Sequence, residues 1–303
     1  MTSQGTTPGS PPGETGAIHD IGYRRYDGPR LGAAYIARSL FVHSLRGAFG
    51  LGRSAKSKVM PLLLLVVTVV PALIIAAIVV FTGADELPLE YTSYAINLQV
   101  VIAVFVASQA PQSVSRDLRF NVVSLYFSRP LSRQGYVQAK YVAMTVAIFV
   151  LIAVPLLVLY VGALLAKLSF WDETRGVAIG LAGAAIFAVV LAGFGLVVSA
   201  FTPRRGLGVA AVIAVLLVLS GVSGTVQGIA EQEGHREVAG YGGLISPFSL
   251  VDGVQVWALG APTSTVAGPP GTTGGLVFLA VTLGLVAACY GLLLLRYRKV
   301  SVS

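Results

Sequence analysis

The chain contains six long, continuously apolar runs that are separated by polar segments. Each run is close to the roughly 20 residues that a helix needs to cross a bilayer, and none alternates like a barrel strand. The pattern therefore predicts an all-α integral membrane fold. Its six transmembrane helices form a domain over residues 59–303 and are predicted at Val59–Phe81, Thr92–Ala110, Tyr141–Leu165, Val177–Phe201, Leu207–Val226 and Gly274–Leu295.

Two further segments precede the first run. Residues 1–30 begin with a stretch rich in Gly, Pro, Ser and Thr, which is typical of a disordered tail. Within residues 31–58, the stretch Leu31–Phe49 has helical periodicity and predicts an amphipathic helix in the inner headgroup layer. Ser39, His43 and Arg46 lie outside its apolar arc, and Arg38 lies inside it and would have to snorkel. The arc consists of Leu31, Ala34, Tyr35, Ala37, Phe41, Val42, Leu45, Ala48 and Phe49.

Composition supports the membrane interpretation. Of the 303 residues, 55% are hydrophobic and 11% are charged, whereas soluble domains carry about 25% charged residues. Little soluble protein is therefore available for the amphipathic helix to pack against. The single cysteine, Cys289, lies in an apolar run, so a disulfide framework or a thiolate metal cluster within the chain is excluded.

The distribution of charge gives the orientation. Of the 21 Lys and Arg residues, 18 fall on one side of the predicted spans, and 9 of the 13 acidic residues fall on the other. The positive-inside rule then places both termini in the cytoplasm of a multi-pass protein of the cell membrane. The net charge of +8 thus reflects topology, and no nucleic-acid partner is expected. The basic side holds the N-terminal segment, Pro111–Lys140, Thr202–Gly206 and the tail after Leu295.

Several kinds of chemistry are excluded. No Asp, Glu, Lys, Arg or His lies inside a predicted span, which argues against a proton-coupled carrier or an intramembrane protease. His19, His43 and His235 are far apart, so no metal site is expected. No G-x-x-x-x-G-K-[ST] motif occurs, so the chain is not expected to be an enzyme or to bind a cofactor itself. If ATP drives it, a partner must supply the ATPase.

The segment Pro111–Lys140 is too long for a simple turn between spans. After Arg116 and Asp117 it carries apolar residues at helical spacing, and Ser128-Arg129-Pro130 ends the pattern. Topology alone would explain the basic residues. It does not explain the apolar residues, whose spacing indicates that this segment packs on another surface. These residues are Leu118, Val122, Leu125 and Tyr126.

These residues resemble a known family. Asp117, a short helix, Ser128–Arg133 and then Lys140 leading into a span are similar to the first cytoplasmic loop of type-two ABC export permeases. The resemblance extends over about residues 20–300, although Phe120–Val123 stands where many members have an acidic residue followed by Gly-Thr. Other similar segments are the lead-in Tyr23–Arg30, the connecting helix Leu31–Phe49, and the short external helices that begin at Leu244–Phe248.

The resemblance implies a function and its partners. The segment Arg116–Phe127 would be a cytoplasmic coupling helix that docks on a separate ABC ATPase, which binds ATP and Mg²⁺. A second permease subunit, identical or different, would complete an alternating-access pathway. For the loop arginines, a purely topological role is the alternative. The candidate coupling residues are Arg116, Asp117, Arg119, Tyr126, Arg129, Pro130 and Arg133.

Polar residues in spans two and five are candidates for the translocation path. In span two, Asn97, Ser108 and Gln112 fall within about 60° on a continuous helix. Span five contributes Ser220, Ser223 and Gln227. Hydrogen bonding between helices is the alternative explanation, and the Gly176–Gly180 and Gly224–Gly228 motifs indicate close packing. An uncharged path favours an apolar or amphipathic substrate.

Two rival functions remain at the level of sequence. A secondary carrier is disfavoured, because the spans lack ionisable groups and the two halves show no clear repeat. A non-transporting scaffold or regulatory subunit that recruits a cytoplasmic partner through Pro111–Lys140 would share the same loop.

Overall fold

The structure is a computed structural model that describes residue 28 and residues 31–52, 54–115, 117, 126, 131–202 and 204–298. The chain divides into two units, Met1–Leu31 and Gly32–Ser303, and every helix described below belongs to the second. The predicted disordered tail falls almost entirely outside the described residues. So does most of the predicted coupling helix, including Arg116 and Arg119, and so do Arg129 and Pro130, which follow it.

All regular secondary structure in the described part of the chain is helical. A single 3₁₀ turn, Gly243–Ile245, joins α8 to α9. The helices are α1 (Ala33–Ala48), α2 (Ala55–Thr82), α3 (Ser93–Asn97), α4 (Gln99–Ser113), α5 (Arg133–Leu165), α6 (Phe170–Phe201), α7 (Arg205–Gln232), α8 (Arg236–Gly242), α9 (Pro247–Leu259) and α10 (Gly271–Arg298).

Within these ranges, five helices are long and apolar enough to cross a membrane, namely α2, α5, α6, α7 and α10. They include five of the six predicted spans and establish a multi-pass helical membrane protein. The remaining predicted span is the second along the chain, Thr92–Ala110. It corresponds to α3 and α4, each of which is too short to cross a membrane alone. The six-span count therefore stays a prediction.

The interruption in this second span is a single residue, Leu98. Its backbone leaves helical geometry at φ −102° and ψ 17°, although its N–H still donates to the Tyr94 carbonyl oxygen at 3.2 Å. Asn97 consequently lies on a different helix from Ser108 and Gln112. The common stripe predicted for these three residues assumed one continuous helix, and across Leu98 it stays a prediction.

The helices begin earlier than the apolar runs do. The α5 helix starts at Arg133, eight residues before the predicted span, because Ser132 caps it by accepting a 3.0 Å hydrogen bond from the Gly135 N–H. The first turn of α6 contains Asp172 and Glu173. Their carboxylates lie at the positive end of the helix dipole, where negative charge stabilises a helix. The apolar runs therefore cover less than the full length of these helices.

The core lies around α5 and α6. The large fully buried side chains include Leu151 and Leu156 on α5, Phe187 on α6 and Phe105 on α4. In contrast, α2, α7 and α10 expose many large apolar side chains, as expected of helices that face lipid or a second subunit.

The α1 helix packs its apolar face on the bundle. Leu40 is buried, and the rings of Phe49 and Phe105 on α4 lie 6.0 Å apart. Tyr35 and Val42, predicted within the apolar arc, are exposed, and Arg38 is exposed beside them. The contact with α5 and α4 centres on Leu40, which the predicted arc did not include. An interfacial position for α1 stays a prediction.

Short helices occupy the stretch before the last span, as the sequence predicts. Pro247 opens α9, and Ser246 caps it by accepting a 3.2 Å hydrogen bond from the Phe248 N–H. All residues from Pro247 to Gln255 are buried, so α9 forms part of the packed structure.

Candidate functional site

Asp117 joins the start of the α4–α5 loop to α5. Its Oδ2 lies 2.9 Å from Lys140 Nζ and accepts a 2.7 Å hydrogen bond from the Tyr136 hydroxyl. Lys140 also donates to the carbonyl oxygen of Ser113, at the end of α4, at 3.0 Å. These contacts tie α4, the loop and α5 together, and we call Asp117, Tyr136 and Lys140 the loop clasp.

The clasp is largely excluded from water. Tyr136 is fully buried and Lys140 is 6% exposed. The Tyr136 ring contacts Tyr126 of the loop, at 5.6 Å between centroids, and Tyr297 of α10, at 5.0 Å. Removing one member of a buried ion pair typically costs about 3–5 kcal/mol, because the remaining charge has no partner. The clasp therefore fixes the start of the loop to the bundle.

Two further hydrogen bonds join the ends of α5, α6 and α10 near the loop clasp. Arg133 donates to the carbonyl oxygen of Arg298 at 3.3 Å, and Arg296 donates to that of Ala200 at 3.2 Å. Basic side chains are favourable at the carbonyl end of a helix. Among the predicted coupling residues, the structure thus brings Asp117, Tyr126 and Arg133 to one end of the bundle, and the remaining four lie outside its described ranges.

A second polar site lies between α4, α7, α9 and the segment before α10. It is a cavity of about 210 Å³, here called the polar cavity. The predicted path residues Ser220, Ser223 and Gln227 all line it. The other lining residues are Ile96, Gln99, Gly224, Ser246, Phe248, Ser249, Ser264, Thr265 and Val266.

Hydroxyl and amide groups of the polar cavity bond to one another. Ser223 Oγ lies 2.9 Å from Ser249 Oγ and accepts from Gln227 Nε2 at 2.9 Å. Ser220 Oγ and Ser246 Oγ are 3.1 Å apart. Gln227 Oε1 accepts from the Ala267 N–H at 3.3 Å, so its amide holds the segment before α10. The arrangement offers a neutral hydrogen-bonding surface.

The three span-two candidates lie elsewhere. Asn97 is exposed and donates to the Ser93 carbonyl oxygen at 2.9 Å, and Ser108 donates to the Phe105 carbonyl oxygen at 2.9 Å. Gln112 is half-buried near the end of α4. Gln99, which the sequence also marks as polar, is the α4 residue that reaches the cavity.

Sequence reasoning missed Asp252, which supports the cavity from α9. Its side chain is buried, and Oδ2 accepts from the Ser264 N–H at 3.2 Å and from Thr265 Oγ1 at 3.1 Å. Burial raises the pKa of this carboxyl, and the hydrogen bonds from Ser264 and Thr265 lower it by a smaller amount. A single carboxylate within the apolar stretch Pro247–Leu259 was the available signal.

The two glycine motifs behave differently. A Cβ on Gly176 or Gly180 would lie 2.9 or 2.8 Å from the Tyr91 side chain, so this motif accommodates a close aromatic contact. Gly224 and Gly228 have no neighbour within 4 Å of such an atom, so this face of α7 is open. The predicted close packing is therefore present at the first motif.

The residues that the structure describes contain no group of three or more His, Cys, Asp or Glu side chains suited to a metal ion. The absence of a metal site from the whole chain stays a prediction.

The polar cavity and the loop clasp lie at opposite ends of α4, whose 15 residues span roughly 22 Å. A multi-pass helical protein with a neutral cavity at one end and an anchored loop at the other has the organisation of a transport permease. The family model described as ABC-2 family transporter protein matches residues 88–302, and the chain belongs to this family. The predicted type-two ABC permease class is thereby confirmed. A search of curated proteins gave no significant match.

Proposed function

We propose that this protein is the membrane subunit of an ATP-driven exporter in the cell membrane, with both termini in the cytoplasm. Two permease subunits, identical or different, would enclose the path, and separate ATPase subunits would bind ATP and Mg²⁺. The chain itself would catalyse no reaction. Membership of the ABC-2 family and the charge asymmetry of the predicted loops support this assignment.

The loop clasp is the observation that carries the coupling proposal. The contacts of Asp117 to Lys140 and Tyr136 connect the loop to two helices at once. Because Tyr136 and Lys140 are buried, a displacement of the loop would be transmitted to α4 and α5 instead of being absorbed by a loose connection. The loop would thus act as the coupling element, with Arg116, Arg119, Arg129, Pro130 and Arg133 as candidate contacts to the ATPase.

The polar cavity supports the path proposal. Ser220, Ser223 and Gln227 meet there, and Gln99 provides the contribution of α4. Asn97, Ser108 and Gln112 do not line the cavity, and we keep them as path candidates at other depths along the second predicted span. The lining side chains of the cavity are uncharged, which favours an apolar or amphipathic substrate with neutral hydrogen-bonding groups.

The coupling proposal predicts that Asp117→Asn uncouples ATP hydrolysis from transport. The protein would be co-expressed with the ATPase encoded beside its gene, purified and reconstituted, and both hydrolysis and export of a lipophilic reporter would be measured. We expect transport per ATP to fall on the order of tenfold, which corresponds to about 1.4 kcal/mol of coupling free energy. The variant should still copurify with the ATPase.

Arg236→Gln is the matched control, because its side chain is 87% exposed and its ion pair to Glu231 is long, at 3.8 Å. It should leave both activities unchanged. The paired variant Asp117→Asn/Lys140→Gln tests folding, because removing both charges avoids an unpaired buried ion. Failure of the wild-type chain to form a complex with the ATPase, or full coupling in Asp117→Asn, would contradict the proposal. Complex formation without transport of any reporter would favour the scaffold function.

A further inference from the structure

The outward face of α1 forms a distinct surface. Its residues recur at helical spacing, are all exposed, and line an open groove of about 380 Å³. We call this surface the basic face, and it consists of Tyr35, Arg38, Ser39, Val42, His43 and Arg46. Two guanidinium groups and an imidazole are thus presented together with two hydroxyl groups.

The opposite face of α1 is already in use. Leu40 is buried there, and Ile36, Phe41 and Leu45 pack on the core of the bundle. The helix therefore has a fixed rotation, and the basic face must point away from the bundle.

The charge of this region is one-sided. From Leu31 to Thr82 the sequence has five Lys and Arg residues and no Asp or Glu. In the described ranges, no carboxylate lies within ion-pair distance of Arg38, His43 or Arg46. The positive charge of the basic face is therefore not neutralised by those parts of the protein.

The basic face is also held close to a membrane span. Only a short turn separates α1 from α2, and Gly50 in this turn has φ +68°. A Cβ on Gly50 would lie 2.3 Å from the carbonyl oxygen of Ser57, so the end of α1 is packed directly against the first turns of α2. A groove beside the start of a span lies at the height of lipid headgroups.

We propose that the basic face binds the phosphate headgroup of an anionic phospholipid from the cytoplasmic leaflet. The planar guanidinium groups of Arg38 and Arg46 match phosphate oxygens, and the hydroxyl groups of Tyr35 and Ser39 supply further donors. Val42 provides an apolar contact within the same groove. This inference uses the topology of the proposed function but does not depend on an ATPase partner or on transport.

The test is a direct measurement of lipid binding to the full-length protein. Purified protein in a non-ionic detergent would be titrated with short-chain phosphatidylglycerol and, separately, with short-chain phosphatidylcholine, and bound lipid would be counted by native mass spectrometry. We expect preferential binding of phosphatidylglycerol. Arg38→Gln/Arg46→Gln should weaken it roughly tenfold to thirtyfold, since each basic residue near a membrane surface contributes roughly fivefold.

The matched control is Arg175→Gln/Arg236→Gln, which removes two exposed arginines from the opposite side of the predicted spans. This variant should bind phosphatidylglycerol as the wild type does. The single variants Arg38→Gln and Arg46→Gln, each expected to lose about fivefold, keep the test decisive if the double variant does not fold.

Three results would overturn the proposal. The first is equal affinity for phosphatidylglycerol and phosphatidylcholine. The second is unchanged binding in the Arg38 and Arg46 variants. The third is displacement of the lipid by glycerol phosphate at matching concentration, which would identify a site for soluble anions instead of a lipid site.

Discussion

Two ionisable side chains, Lys140 and Asp252, enter the helical bundle by different means. Lys140 is held by the carboxylate of Asp117 and the carbonyl oxygen of Ser113. Asp252 is held by hydrogen bonds from Ser264 and Thr265, and burial raises its pKa. The hydropathy pattern did not predict either set of contacts, because the partners of Lys140 and Asp252 lie 12 or more residues away in sequence.

The raised pKa of Asp252 predicts a pH dependence at the segment before α10. The folded state holds the proton more tightly than the unfolded state does, so local stability is greatest at low pH and decreases as pH rises through the folded-state pKa. Hydrogen exchange of residues 261–267, normalised to intrinsic rates, should show protection falling as pH rises above the ordinary pKa of an Asp carboxyl, about 3.9.

Asp252→Asn is the control for this effect, because the amide oxygen still accepts from Ser264 and Thr265 but does not titrate. Protection in this variant should be nearly independent of pH. Protection that rises with pH in the wild type would contradict the assigned direction of the pKa shift.

Hydropathy predicted the helices well, but not where they begin or how they are rotated. The start of α5 at Arg133 depends on the Ser132 cap and on the neutralisation of Lys140, and neither contributes to an apolar run. The rotation of α1 depends on its contact with α5 and α4, which a helical wheel does not contain. The break at Leu98 has no sequence signal that we can identify.

At the level of helix packing, Gly162 is predicted to be essential for the contact between α5 and α2. A Cβ at this position would lie 2.3 Å from the Cβ of Ala76 on α2, so Gly162→Ala overpacks the crossing. We expect a loss of about 1–3 kcal/mol in unfolding free energy, measured by denaturant titration in mixed micelles.

Gly284→Ala on α10 is the matched control, because no atom lies within 4 Å of a Cβ at Gly284. Alanine should be neutral there or stabilise the helix by up to about 1 kcal/mol. Equal effects of the two substitutions would show that α2 and α5 do not cross as closely as described.

At the scale of the whole molecule, the sequence predicted only some of the residues that meet in the polar cavity. The serines and Gln227 of α7 meet in the polar cavity because spacings of three and four residues place them on one face of an uninterrupted helix. The same reasoning does not extend to Asn97, because α3 and α4 are separate helices. Ser246, Ser249, Ser264 and Thr265 were missed because tertiary packing alone brings them to the cavity.

We propose above all that the α4–α5 loop binds a cytoplasmic ATPase and transmits its motion to the helices. The most direct test is site-specific photocrosslinking in cells, with a photoreactive amino acid at Arg129 in this loop or at Thr263 on the opposite side of the predicted spans. We predict an adduct to the co-expressed ATPase from position 129 and none from position 263. An adduct from position 263, or no adduct from position 129 in a chain that is inserted and stable, would contradict it.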